Sequence, residues 1–268
     1  MRRIPALLVL MVVCAALPAA GQTVGTPTIS GSSLSVTVSV PGGTSVDLTL
    51  SFEEVEGLSL SSLGLSVQLI NPTSPALLAR LPGSVVPALP LLLRIEPPAT
   101  GPLSFHGIAT LEVHTHNLQY TAGTPLRLFS APLNGAFKDI TAEIGAGSYR
   151  ARGTTGGFSE FLIVSDTRPL AQVIGLKLDR LEELLDGYEA DMPGSVYGDL
   201  EDLLEDARAA YAAGARNDAI QEISDFIELV EEHSGTDIPE VWRSARDLDN
   251  VAGYLRAGAM TLRFSLSL

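Results

Sequence analysis

From residue 27 to residue 164, apolar side chains recur at every second position. Leu34, Val36, Val38 and Val40 alternate with Ser33, Ser35, Thr37 and Ser39, as a strand with one buried and one wetted face requires. Val46, Leu48, Leu50 and Phe52 form a second such run, and Leu63, Leu65, Val67 and Leu69 a third. Further strands are expected over 91–95, 108–118, 126–129, 136–141, 149–152 and 158–164. Short alternating strands punctuated by Gly and Pro, without long helical patterns between them, predict an antiparallel β-sandwich over 22–166. Eight of the 17 prolines lie between Pro72 and Pro102, where missing backbone donors predict a crossover or an edge. Ser74-Pro75 can open one short helix there, ended by Pro82-Gly83.

After Asp166-Thr167-Arg168-Pro169 the period becomes helical. Ile174, Leu178, Leu181, Leu185 and Tyr188 share one face of a first helix. A second is expected over 195–213, with Val196, Leu200, Leu203, Ala207 and Ala210 inward and Gly214 as its stop. A third spans 217–233 on Ile220, Ile223, Ile227 and Val230. Asp237 can cap a fourth, with Pro239 in its first turn and Trp242, Ala245, Leu248, Ala252 and Leu255 along its inner face. Short connections then predict an antiparallel four-helix bundle over 169–260. In 261–268, Leu262, Phe264, Leu266 and Leu268 alternate with polar residues, which predicts a C-terminal strand pairing with a sandwich edge. The alternative is a sorting signal of the outer-membrane-barrel type, although the chain lacks a barrel's many segments of about ten residues. The expected class is α+β: antiparallel sandwich, helical bundle, C-terminal strand.

The amino end has the layout of an export signal. Arg2 and Arg3 precede an apolar run from residue 4 to residue 17, and Ala19 and Gly21 are small, so residues 1–21 are expected to be a signal peptide cut after Gly21. A retained anchor would need about 20 apolar residues. Lipidation at Cys14 is disfavoured by Val12 and Val13 immediately before it. The expected destination is the periplasm or the exterior, with no transmembrane segment after cleavage. Cys14 is the only cysteine, so cleavage leaves no thiol, which excludes disulfide frameworks and Cys-ligated zinc.

The formal charge is −14, which argues against nucleic acid as a partner. Residues 22–165 carry six basic and nine acidic side chains, and residues 166–268 nine and 22, so the acidity belongs to the helices. Pairs such as Glu182-Glu183, Glu201-Asp202, Glu205-Asp206 and Glu231-Glu232 read as a solvated face, with weak calcium binding or docking to a basic partner as alternatives. No Asp-x-Asp-x-Asp-Gly series ends in Glu as an EF-hand loop would.

The best metal candidate is Glu112-Val113-His114-Thr115-His116, because alternation puts Glu112, His114 and His116 on one strand face where they could grip Zn²⁺ or Cu²⁺. His106 could be a fourth group. An outward strand face that simply tolerates histidine is the simpler account. His233, at a predicted helix end, is a favourable cation there. Gly157-Phe158-Ser159-Glu160-Phe161 lacks the second glycine of a nucleophile elbow, and no phosphate-binding loop or dinucleotide fingerprint occurs. Paired acids of the glycosidase kind cannot be told apart in so acidic a chain. Trp242 falls among the predicted helices, leaving the sandwich without that sugar-stacking platform. No catalytic residue and no cofactor is therefore assigned.

Two resemblances reach the residues. The strand near Ala109, Leu126-Arg127-Leu128-Phe129, Phe137-Lys138-Asp139-Ile140-Thr141 and Gly156-Gly157-Phe158-Ser159-Glu160-Phe161-Leu162 resemble the closing half of secreted and surface sandwich domains, including the spectrin-binding sandwich of ankyrins. That resemblance covers residues 107–166 and implies a structural or interaction module with no catalytic residues to carry over. Ala207, Ala210, Gly214, Ala219-Ile220, Phe226-Ile227, Val230, Gly235, Ile238, Ala245, Leu248 and Ala252 resemble the FIMAH-type helical modules of secreted bacterial proteins. Together these imply a noncatalytic exported binding or structural module with a protein or cell-surface partner. The alternative is a metal-binding protein or metal-dependent enzyme built on His114 and His116.

Overall fold

Cross-strand apolar pairs set the register of the first sheet. The computed structural model describes residues 23–40 and 44–268, and the expected signal peptide at 1–21 lies outside them. β1 (Thr23–Val24), β2 (Thr28–Ser30), β3 (Ser33–Ser39) and β4 (Ser45–Glu56) open the chain. Leu34 faces Leu50, Val36 faces Leu48 and Val38 faces Val46, so both strands bury the same side. Two short helices, α1 (Leu60–Leu63) and α2 (Pro75–Leu78), flank β5 (Leu65–Leu69) and precede β6 (Ser84–Val85) and β7 (Leu91–Ile95). The Ser59 side chain caps α1, and Gly64 ends it in the left-handed region at φ 57°. β8 (Ser104–Gln119), β9 (Leu126–Ala131), β10 (Lys138–Asp139), β11 (Thr141–Gly145), β12 (Ser148–Thr155) and β13 (Glu160–Ser165) complete the strand-rich part.

Two antiparallel sheets result. The first runs β1-β3-β4-β8-β12-β11 with β2 beside β3, and the second β10-β9-β13-β7-β5 with β6 beside β13. They share one core: Leu48, Leu50, Leu111 and Val113 from the first sheet join Leu91, Leu93, Phe161 and Ile163 from the second. The other face of the second sheet buries Leu92, Phe129, Leu162 and Val164 against Leu77 and Phe137. β13 is consequently apolar on both sides, which explains its unbroken Phe-Leu-Ile-Val run.

The helices are α3 (Leu170–Gly187), α4 (Gly194–Ala212), α5 (Arg216–His233) and, after β14 (Val241–Arg243), α6 (Val251–Ser267). Ile174, Leu178, Leu181 and Leu185 of α3 meet Val196, Leu200 and Leu204 of α4 and Ile223, Phe226 and Val230 of α5 in a second core. Leu204 is buried where Leu203 was expected, and Leu203 packs at the margin.

Two expectations fail at the carboxy end. No helix starts at Asp237: that carboxylate takes His233 Nδ1 at 2.6 Å, and residues 241–243 pair with β8 as β14. Trp242 thus belongs to the first sheet's core, stacked on Phe105 with centroids 5.4 Å apart. Residues 261–267 are the end of α6 and form no strand. Val251, Leu255, Ala259, Leu262 and Leu266 follow the helical rhythm and are buried in the helical core, whereas Leu268 is exposed. Asn250 supplies the cap, its Oδ1 accepting from the Gly253 amide at 2.8 Å. Among the described residues no helix is long and apolar enough to cross a membrane.

Candidate functional site

Strand alternation on β8 sends Leu111 and Val113 into the core and Glu112, His114 and His116 to the outer face. The three do not converge on one point. Glu112 accepts from Arg152 Nε at 2.5 Å and lies 3.5 Å from Arg150 Nε, because the ladder sets Arg152 directly opposite it. The carboxylate that joins the histidines is Asp47, opposite His114 on β4. Ligand atoms of Asp47, His114 and His116 all lie within 4.8 Å of one another. His116 Nε2 is 2.7 Å from Asp47 Oδ2, and Thr37 Oγ1 donates to Asp47 Oδ1 at 2.7 Å, orienting it. Burial works to raise the Asp47 pKa, but the hydrogen bonds from Thr37 and His116 outweigh it and hold the carboxyl below its usual range. Arg150 Nη2 stands 3.5 Å from His114 Nδ1, a cation that works against a bound metal. His106 is elsewhere, 3.3 Å from Glu240. Asp47 eluded sequence reasoning because it lies 67 positions from His114, and only strand register brings the two together.

A second feature lies where the helices meet the sheets. Three polar fastenings hold this seam. Lys177 Nζ on α3 is fully buried, 2.7 Å from Asp139 Oδ2 of β10, and donates to Thr261 Oγ1 and Ser265 Oγ of α6 at 2.7 and 2.9 Å. Desolvation pushes its pKa down, and the adjacent Asp139 carboxylate opposes that. Asn250 Nδ2 donates to the carbonyls of Gly107 (2.6 Å) and Gly156 (3.2 Å), tying the start of α6 to β8 and to the end of β12. Arg256 grips Glu53 of β4 with both Nη atoms, at 2.8 and 2.9 Å, and Glu231 of α5 at 2.6 Å.

Between these fastenings opens a cleft of about 360 Å³. Gly156 and Gly157 form part of its wall, and a Cβ at either would strike Tyr254. Apolar lining comes from Ile140, Phe158, Leu184 and Ala257, and polar lining from Thr154, Lys138 and Arg180. An adjoining hollow of about 220 Å³ shares Phe158, Ser159 and Tyr254 with it. Burial raises the Tyr254 hydroxyl to about 12, with Tyr188, stacked 6.4 Å away, adding to the effect. By contrast, the void of about 20 Å³ inside the sheet core is lined by apolar side chains alone, among them Leu48, Val113, Phe161 and Ile163, and is too small for a ligand. The Gly-Gly-Phe-Ser segment was visible in the sequence as the lead into the strand expected over 158–164. Its meeting with Arg180 and Tyr254 was not, because they arrive from helices.

A family model described as a family of unknown function (DUF6689) matches residues 8–268. No curated protein matches the chain.

Proposed function

We propose that this chain, which belongs to the DUF6689 family of unknown function, is a noncatalytic exported binding or structural module. In this reading the two sheets form a sandwich, the long helices form a bundle clamped to it, and a protein, cell-surface or small-molecule partner engages the seam. The observation that carries it is the cleft itself, open on a seam whose walls are pinned by Lys177, Asn250 and Arg256. A site prefixed in this way loses little conformational entropy when it is filled. The buried charges Lys177, Asp139, Glu160 and Arg256 are all committed to joining elements, which is a structural use. Export rests on Arg2, Arg3 and the apolar run that follows.

The test expresses the full chain in a bacterium with a periplasm. The expected product is a periplasmic or secreted protein beginning at Gln22 that carries a noncovalent adduct in native mass spectrometry, absent from Ala257→Trp. An uncut cytoplasmic chain would overturn export, and both proteins appearing at their own adduct-free masses would overturn the binding site.

One observation favours a metal-binding second reading: Asp47 completes a two-His, one-carboxylate face with His114 and His116, already oriented by Thr37. Titration with Zn²⁺ or Cu²⁺ is expected to show one ion per chain, lost in His114→Ala/His116→Ala. Absence of stoichiometric uptake ends this reading.

A further inference from the structure

We propose that the seam cleft binds a small organic carboxylate with an apolar body, its carboxylate held by Arg180 and Lys138 and its body against Ile140, Phe158 and Leu184. This rests on the reading of the chain as a binding module and adds the chemistry of the occupant.

Charge is the first argument. The chain carries −14 overall, yet the ionic groups lining this cleft are Lys138, Arg180 and Asp139. Asp139 is already matched by Lys177, so the lining presents two cations, Lys138 and Arg180, that have no ion pair at contact distance among the described residues. Arg180 makes no ion pair at contact distance among the described residues, although it is largely removed from water; Asp139 and Glu183 act on it only at longer range. Desolvation lowers its pKa, and it lowers that of Lys138 too, with Arg180 adding repulsion and Glu183 opposing. A half-buried guanidinium with no contact partner, repelled by a neighbouring exposed ammonium, favours an anion that joins the two.

Thr154 is the second, independent observation. The residue is 3% exposed and lines the cleft, and among the described residues its Oγ1 has no hydrogen-bond partner. A buried hydroxyl left unpaired is unfavourable, and a ligand oxygen in the cleft would give it a partner. Size is the third. About 360 Å³ sits at the small end of the roughly 300–1,000 Å³ of ligand pockets. Two cations and few donors among apolar walls suit a monoanion, whereas a phosphate needs partners for at least three strong acceptor oxygens.

The probes are benzoate, its neutral isostere benzamide and inorganic phosphate, titrated by calorimetry into the full exported chain. Benzoate is expected to bind one to one, at least tenfold more tightly than benzamide and than phosphate. Lys138→Gln and Arg180→Gln should each weaken benzoate about tenfold while leaving benzamide unchanged, and Ala257→Trp should abolish both. Lys138 is exposed, so its variant keeps the test interpretable if Arg180→Gln fails to fold. Equal binding of benzoate and benzamide would overturn the carboxylate while leaving the binding module standing. Tighter binding of phosphate would overturn it in favour of an inorganic oxyanion. Benzoate affinity unchanged in both charge variants, or no binding of any probe, would overturn the inference outright.

Discussion

Glu160 lies on the middle strand of the second sheet with a side chain only 1% exposed, yet it carries a charge. It can do so because Arg94 donates to Oε1 at 2.5 Å and Arg80 donates to Oε2. Arg80 is itself held by the Gly135 carbonyl at 2.7 Å and lies over the Phe137 ring. Burial alone would raise the Glu160 pKa, but the two guanidinium groups prevail and bring it below the usual carboxylate range. Glu53 and Asp166 behave alike: burial opposes ionisation, and Arg256 and Arg168 respectively overcome it. Because all three bind protons less readily folded than unfolded, they stabilise the protein fully above the ordinary carboxylate range of about 4. That contribution is lost as pH falls through and below it. Urea unfolding is expected to show a midpoint independent of pH near neutrality and falling steadily below about pH 4. Glu160→Gln should cost about 3 kcal/mol at pH 7 by leaving Arg80 and Arg94 short of an anion, and should flatten that acid dependence. A midpoint within error of the parent would refute the structural role of this triad.

At the scale of elements, α6 carries the main lesson. Residues 261–268 satisfy a two-residue period and a helical one at once, since eight residues are too few to separate them. In the ten residues before that, Val251, Ala252, Leu255 and Ala259 set the helical phase, and the buried positions follow it to Leu266. Leu266→Ala should therefore cost about 2–4 kcal/mol, while Leu268→Ala should cost under about 0.5. A strand would have put both on one face and made the losses similar. The short β14 was hidden for a different reason: three residues carry no usable period, and it exists only because β8 offers partners at residues 104–106. Lys177 adds a chemical version of the same problem. It stands three residues after Ile174 and four before Leu181, on the apolar side of α3, and its charge is met there by Asp139, Thr261 and Ser265, which no local pattern announces. Lys177→Met should lose about 3–5 kcal/mol by stranding Asp139, and combining it with Asp139→Leu should restore much of that in thermal unfolding. If the double variant is as unstable as the single one, the pair is not the fastening described.

Across the whole molecule, the later half of the chain reaches back into the earlier one at β14, Asn250, Arg256 and Lys177. Such interleaving predicts one cooperative transition, with calorimetric and van't Hoff enthalpies equal, and a fragment of residues 169–268 that does not fold alone because Trp242 and Asn250 lose their partners. Two resolved transitions would contradict this. Local patterning was enough for the alternating strands, the three helices after Pro169, the concentration of acid on their faces and the outward placement of His114 and His116. Each depends on neighbours within about two turns or one strand, where side-chain period is enough. Tertiary structure decided that Asp47 rather than Glu112 stands with the histidines, that Trp242 enters the sheet core, and that Arg180, Thr154 and Tyr254 meet in a cleft. Those outcomes depend on register and docking between residues far apart in the chain, where burial, ion pairing and backbone donors compete, and no local pattern records which of them prevails.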